Sequence, residues 1–347
     1  MLNVDYNKLI HNGYEITELK NIVDFYNIKE EWEQLVKPSI YYLTHTYDWF
    51  YSTWKSLTGW KTVQALAIRK EEALISVIPL ILEKNLYETK VINVPTSIVP
   101  FFASTDHEHI LDCIIHYLNY RVPNWLELSF EELDFNFSES EILISSAKDN
   151  QLSIELHKTH ETPILQNDLD FDHYFKNRSK KIKKALGNKQ RKLSFQSSYK
   201  LKIYSNPEEI QLGLKQIFEV DCLSWKFSEK SDMSSREGQL VFYETLAQQL
   251  ANKGYINLCV LELEDTNEPI AFEYLIICED KALIAKHSYK QKYAKYSPGV
   301  ILRYEILKVL LNKNIKTIDT WGFKDQFKMI WCNKVVDRYS ARIKKKV

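Results

Sequence analysis

The chain has 347 residues, more than one ordinary core holds, so two domains are expected. Apolar residues make up 45% and charged residues 27%, the profile of a globular protein and not of a disordered one. The 46 cations and 46 anions cancel, so a general affinity for nucleic acid or membrane surfaces is not implied and any such contact must come from a local patch.

Met1 to Lys20 is polar and lacks both a basic start and an apolar core, so it does not read as a secretory signal. The spacing predicts a helix over Ile28–Leu35 and an aromatic-rich helix over Tyr47–Leu57. Strands follow at Thr62–Arg69, Ala73–Leu82 and Lys90–Val94, then a helix at His109–Tyr120, with Ile110, Ile114 and Leu118 on one face. Trp125–Phe130 reads as a strand, Ser140–Asp149 as a polar helix and Leu152–His157 as a strand. No run of about 18 apolar residues occurs, so no membrane span is expected.

The second half repeats this order. Helices are expected at Ile210–Trp225 and Gln239–Asn252, strands at Asn257–Leu263, Ile270–Cys278 and Lys281–His287, a helix at Ser297–Asn312 and a strand at Ile315–Thr320. Residues do not repeat, but the order of elements does, which points to two copies of one α/β (α+β) fold. The expected domains are 1–165, with 334–347 as a possible completion, and 166–333. The five cysteines are scattered, form no Cys-x-x-Cys pair and read as reduced packing residues of a cytoplasmic protein.

Between the halves, Arg178 to Lys192 carries eight cations, and no acid occurs from His173 to Pro207. A helix here bears like charges side by side, at a cost unless an anion lies against it. The strongest local signal is Tyr289–Leu302. There Ser297, Pro298 and Gly299 open an amphipathic helix just after Lys290, Lys292 and Lys295. Free N–H groups beside cations suit a pyrophosphate, and the same residues also suit a capped surface helix.

Asp319–Trp331 places Gly322 and Lys328 in an aromatic cluster after a strand. Lys328 is there either a partly desolvated cation for a developing oxyanion or a solvated lysine on an aromatic rim. Glu273, on the inward face of its strand, is either a general base or one half of a cross-strand pair with Lys286. Trp225, Trp49 and their aromatic neighbours Tyr47, Phe50, Trp54 and Trp60 read as core or as the wall of a substrate cleft between domains. The nine histidines form no ligand set, so no metal is expected, and no dinucleotide, phosphate-loop or nucleophile-elbow motif occurs.

Several segments together carry a resemblance. They are Glu31-Trp32 with Leu35, Thr44–Trp49, Pro79-Leu80, the basic run after Asn177-Arg178-Ser179, Ser224-Trp225-Lys226 and Pro269-Ile270-Ala271. Ser297-Pro298-Gly299 and Gly322, Phe327-Lys328 and Trp331 complete the set. In order and spacing, over about residues 25–343, they resemble the bacterial GNAT-superfamily acyltransferases of the CelD-like group, relatives of the FemAB/FemX aminoacyl transferases.

The resemblance implies two tandem GNAT-like domains, each a mixed, mostly antiparallel sheet flanked by helices. It also implies N-acyl transfer from a thioester, acyl-CoA as co-substrate, to an amine of a small molecule or a cell-envelope precursor. Lys328 matches a lysine that steadies the tetrahedral intermediate. Glu273 would take the amine proton, and Tyr289 or Tyr293 would protonate the leaving thiolate. The donor site would comprise Tyr293, Lys295, Tyr296, Ser297, Gly299 and Val300. The acceptor site would comprise Trp49, Lys180, Lys184, Trp225, Trp321 and Asp325. Thr320-Trp321 and the lysine-rich central helix depart from the family pattern and put the substrate, more than the fold, in question. The alternatives are a FemX-like transferase using aminoacyl-tRNA, the one case in which nucleic acid is a partner, and a catalytically silent module binding an acyl-carrier or phosphorylated partner.

Overall fold

The computed structural model describes residues 8–36, 46–57, 62–84, 89–93, 107–122, 124–133 and 138–345. Thr44, Trp60 and Val94 lie outside them. The chain forms two compact units, Met1–His160 with Asp337–Val347, and Glu161–Val336. In chain order the first holds β1 (Lys8–His11), β2 (Tyr14–Leu19), α1 (Ile22–Asn27), α2 (Lys29–Leu35), α3 (Tyr47–Leu57), β3 (Thr62–Lys70), β4 (Ala73–Lys84), β5 (Thr89–Asn93), α4 (His107–Arg121), β6 (Trp125–Leu133) and α5 (Ser138–Asp149). Strand β7 (Ser153–Gln166) starts in this unit and ends in the second.

Strands β1 to β5 pair antiparallel in sequence order. Helix α4 then returns the chain so that β6 lies parallel to β5. The β1–β2 hairpin is absent from the sequence expectation, although Asn12-Gly13, with φ of 50° and 83°, is the dipeptide that such a turn demands. The helix expected at Ile28–Leu35 is α2, and a further helix, α1, precedes it, opened by a capping box at Asn21 and ended at Ile28. Two apolar clusters are seen among the described residues of the unit. One packs α4 on the sheet through Ile110, Ile114 and Leu118. The other gathers Phe25, Trp32, Tyr47 and Phe50 against Ala65 and Ala67.

The second unit follows with α6 (Phe171–Lys176), α7 (Lys180–Ser194), β8 (Tyr199–Tyr204), α8 (Pro207–Cys222), α9 (Trp225–Ser228), α10 (Gln239–Ala251), β9 (Ile256–Leu263), β10 (Glu268–Cys278), β11 (Lys281–Tyr289), a 3-10 segment (Gln291–Tyr296), α11 (Pro298–Asn312), β12 (Thr317–Asp319) and α12 (Gln326–Met329); β13 (Lys334–Lys344) closes the chain. Strands β8 to β11 pair antiparallel in order, and α11 carries the chain to β12, parallel to β11. The end of β7 borders β12 antiparallel.

Each unit is therefore a mixed sheet flanked by helices, and the path strand, helices, three antiparallel strands, helix, parallel strand occurs in both. Strand β8, like β2, is missing from the sequence expectation, and both hold the same place in that path. In β8 the alternation YKLKIY is short, and four of its six side chains are only half-buried, so the period-2 signal is faint. Helix α11 buries Ile301, Leu302, Ile306, Leu307, Leu310 and Leu311, each worth about 1.5–3 kcal/mol when fully removed from water.

Candidate active site

The β10–β11 hairpin turns at Glu279-Asp280, with Cys278 opposite Lys281, as the two-residue turn predicts. A bulge between Tyr274 and Leu275 then shifts the register, so Glu273 lies opposite His287 and not opposite Lys286. The expected Glu273–Lys286 pair does not form. Glu273 accepts instead from Arg303 of α11, Nε to Oε1 at 2.6 Å, with both side chains 1% exposed. Burial raises the Glu273 pKa, while the charge and hydrogen bond of Arg303 lower it, and the net direction is upward. Arg303 was not singled out in the sequence, because an arginine on the inward face of an apolar helix breaks the pattern that defines that face.

The chain leaves β11 through the 3-10 segment and enters α11 at Pro298, its first helical residue. Ser297 is not the side-chain cap that the sequence suggested. Its φ is 54°, a left-handed conformation that strains a residue with a Cβ, and its hydroxyl accepts from Lys189 of α7 at 2.6 Å. The cations around this helix start also differ from the expected set. Lys290 is bound to Glu219 and Glu268, and Lys292 to Glu268, so neither charge is spare. In their place α7 brings Lys189 to Ser297 and Lys192 to the carbonyl of Lys295 at 3.2 Å. Lys192 and Lys295 both lie over the Tyr296 ring.

This explains how α7 tolerates its charge. Leu186 and Leu193 are buried, and Lys183, Lys189 and Lys192 spend hydrogen bonds on oxygens of the fold. Lys180, Lys181, Lys184 and Arg191 face solvent.

Asp325 caps α12 and accepts from the Lys328 N–H at 2.7 Å. Lys328 turns inward. Only 5% exposed, it donates to the carbonyls of Trp321 and Phe323, the latter at 2.8 Å. Gly322, at φ 71°, sits so close that a Cβ there would lie 3.7 Å from Nζ. Burial lowers the Lys328 pKa, with Asp325 opposing. Lys328 is thus the desolvated cation of the two sequence readings and not a solvated one.

A cavity of about 330 Å³ runs along these elements. It is lined by Trp225, Lys226, Phe272, Glu273, His287, Ser288, Tyr289 and Ala294, by Ser297, Gly299 and Val300 at the start of α11, and by Asp325 and Phe327. Gly299 leaves the wall open where a Cβ would meet Tyr289 at 3.7 Å and Phe327 at 4.0 Å.

The cavity brings together Glu273, Tyr289, Ser297, Gly299, Val300, Trp225 and Asp325 of the residues expected from sequence. Lys295 and Tyr296 directly precede the lining residue Ser297 in the chain. Tyr293 is committed elsewhere, its hydroxyl donating to Glu268 at 2.7 Å. Lys328 and Trp321 are not among the lining residues. Lys180 and Lys184 are exposed on α7, and Trp49 is 3% exposed within α3 of the first unit.

Sequence reasoning missed Lys226 and His287 as lining residues. Lys226 donates to the His287 carbonyl, and burial, reinforced by Lys286, brings its pKa down to about 8. Burial and then the charges of Lys226, Arg303, Lys328 and Lys286 hold His287 well below the ordinary histidine value, so its ring is neutral. The signal that could have found Lys226 was its place beside Trp225 in the Ser-Trp-Lys motif. His287 carried none.

Residues 180–329, which contain the whole cavity, match the family model described as acetyltransferase (GNAT) domain. The chain carries a GNAT acetyltransferase domain. It is an acyltransferase by that domain, and the fold agrees. A crystal structure of FemX superposes with a TM-score of 0.60 at 10% identity, covering 91% of this chain and 95% of that one. The structure of L-PGS from Bacillus licheniformis gives 0.56 at 12% identity over 94% and 93%. The C-terminal domain of a putative lysylphosphatidylglycerol synthetase from Agrobacterium fabrum gives 0.54 at 12% over 92% and 92%. No curated protein sequence matches significantly. Among the described residues no helix is long and apolar enough to cross a membrane.

Proposed function

We propose that the chain is a CelD-like N-acyltransferase that moves an acyl group from acyl-CoA to an amine of a small molecule or a cell-envelope precursor. The observation that carries this reading is the single cavity reaching from the start of α11 to Glu273. A helix start beside cations receives phosphates, and here the N–H groups of α11 stand next to Lys189, Lys192 and Lys295. Gly299 lets a ligand reach the backbone there. Bound acyl-CoA supplies an acyl carbon already activated as a thioester.

The remaining work falls to side chains of the second unit. Glu273, raised by burial, is the proton acceptor for the amine. Tyr289, on the cavity wall beside Gly299, is the acid for the departing sulfur, a role that Tyr293 loses to Glu268. Lys328 is the fixed cation for charge developing on the acyl oxygen.

The test is thermal unfolding with and without CoA and with acetyl-, medium- and long-chain acyl-CoA. Binding to the native state stabilises it by about 2.7 kcal/mol at a hundredfold excess over Kd. A raised midpoint that depends on chain length supports this reading and selects the donor. No change with any of them overturns it. A second reading, a FemX-like transferase using aminoacyl-tRNA, draws support from the exposed Lys180, Lys181, Lys184 and Arg191 on α7. It requires RNA affinity that falls steeply with salt.

A further inference from the structure

The first unit has a cavity of its own, about 290 Å³ in volume and remote in sequence from the matched residues 180–329. Glu18 and Lys20 at the end of β2, Gln64 near the start of β3, and Tyr117 and Arg121 at the end of α4 all line it. Glu18 follows Tyr14 and Ile16 on one strand face, and Gln64 precedes Leu66 and Ile68 on the next. Those four apolar residues pack with α4, so both polar side chains face the helix. A chain of hydrogen bonds joins them. Gln64 Nε2 donates to the Tyr117 hydroxyl at 2.6 Å, that hydroxyl donates to Glu18 Oε1 at 2.7 Å, and Lys20 reaches Oε2 at 2.8 Å. Gln64, Tyr117 and Glu18 are all buried.

Arg121 stands one helical turn after Tyr117, and its charge acts on the Tyr117 hydroxyl. It is half-buried, yet among the described residues it has neither a hydrogen bond nor an ion pair. Both oxygens of Glu18 are already taken, by Tyr117 and Lys20. The lining thus sets two cations against one committed carboxylate and is positive by one charge. The fold does not require this polarity. In the second unit the last turns of α11, which holds the place of α4, bury Leu307, Leu310 and Leu311. Polar groups cost free energy in such a position, whereas leucines stabilise it.

We propose that this cavity of the first unit binds a small oxyanion, a carboxylate or a phosphate, through the guanidinium of Arg121. The planar fork of an arginine matches either group with two parallel hydrogen bonds. The hydrogen-bonded chain from Gln64 to Glu18 forms a fixed polar wall beside it. The volume lies at the low end of ligand pockets, about 300–1,000 Å³, and suits a metabolite rather than a large cofactor. The proposal does not depend on the acyl-transfer reading.

The test follows arginine Nε–Hε signals by NMR in the full chain, with Arg121→Gln assigning the Arg121 signal by its loss. Inorganic phosphate and glycolate are the probes. Ethylamine, and sodium chloride at equal ionic strength, are the controls. The Arg121 signal should move saturably with at least one probe and with neither control. A response to phosphate alone selects a phosphorylated ligand, and to glycolate alone a carboxylate. Glu18→Gln removes the negative charge of the wall and releases Lys20, so it should tighten oxyanion binding about tenfold. No saturable movement with either probe, an equal movement with a control, or an affinity that Glu18→Gln leaves unchanged or weakens overturns the proposal.

Discussion

Arg303 of α11 and Glu273 of β10 meet at 2.6 Å, each 1% exposed, and tie the helix that follows β11 to the strand that precedes it. Oε2 of Glu273 and Nη2 of Arg303 stay unbonded in that pair. Removing one partner strands a buried charge, so Arg303→Met should cost about 3–5 kcal/mol. The double change Arg303→Met with Glu273→Leu should recover much of that loss, because two apolar side chains need no partners. Urea unfolding of the single and double variants checks both statements, and a double variant no more stable than the single contradicts the ion-pair account.

Lys328 holds two carbonyls across the Gly322 turn. Lys328→Met removes both hydrogen bonds, at about 0.5–1.5 kcal/mol each, which calorimetry reads as a lower melting midpoint. In an acyl-transfer assay the same variant should lower kcat about 10²-fold if the ammonium also faces the reacting oxygen. A variant that melts early but turns over normally leaves Lys328 a turn-holding residue alone.

Gly299 has no positive φ to protect, and a Cβ there meets only ordinary contacts at 3.7 and 4.0 Å. Gly299→Ala should therefore leave the melting midpoint unchanged or slightly raised, since alanine is the better helix former. Its methyl group stands where a ligand approaches the backbone, so the rise in midpoint produced by CoA should shrink or vanish. An unchanged response to CoA moves the donor site away from the start of α11.

Glu268 gathers Lys290, Lys292 and the Tyr293 hydroxyl. Burial raises its carboxyl, but hydrogen bonds from Lys292, Tyr293 and Lys290 outweigh this and hold the pKa at about 2. A carboxylate with a depressed pKa binds fewer protons folded than unfolded, so its stabilisation is complete above the ordinary value of 4.5 and is lost as pH falls toward about 2. Glu268→Gln should melt below the wild type at pH 7, and the gap should close across that interval. A gap that does not change with pH contradicts the linkage.

Much of the fold was legible because burial follows period. The apolar runs in β9, β10 and β11, the helical spacing in α4 and α11, and the order shared by the two halves all follow from which residues leave water. Strand β8 escaped because a short, half-buried strand carries little periodic signal, whereas β2 alternates in burial and was passed over all the same. The helix start at Pro298 was also legible, since Pro298 and Gly299 mark it locally.

The partners were not legible. A single bulge at Tyr274/Leu275 moved Glu273 from Lys286 to His287, and side chains thirty residues apart then decided its charge environment. Lys290 and Lys292 looked free in sequence and are tied down by Glu268, whereas Lys189 and Lys192 looked like part of a remote basic run and stand at Ser297 and Lys295. The sequence by itself determined the class of fold, the two-part order and the helix start at Pro298, because these depend on local propensity and on apolar periodicity. Only the tertiary structure decided which charges are spent and which remain for a ligand, because electrostatic pairing depends on distance in space and on burial, and neither is written in the spacing of residues along the chain.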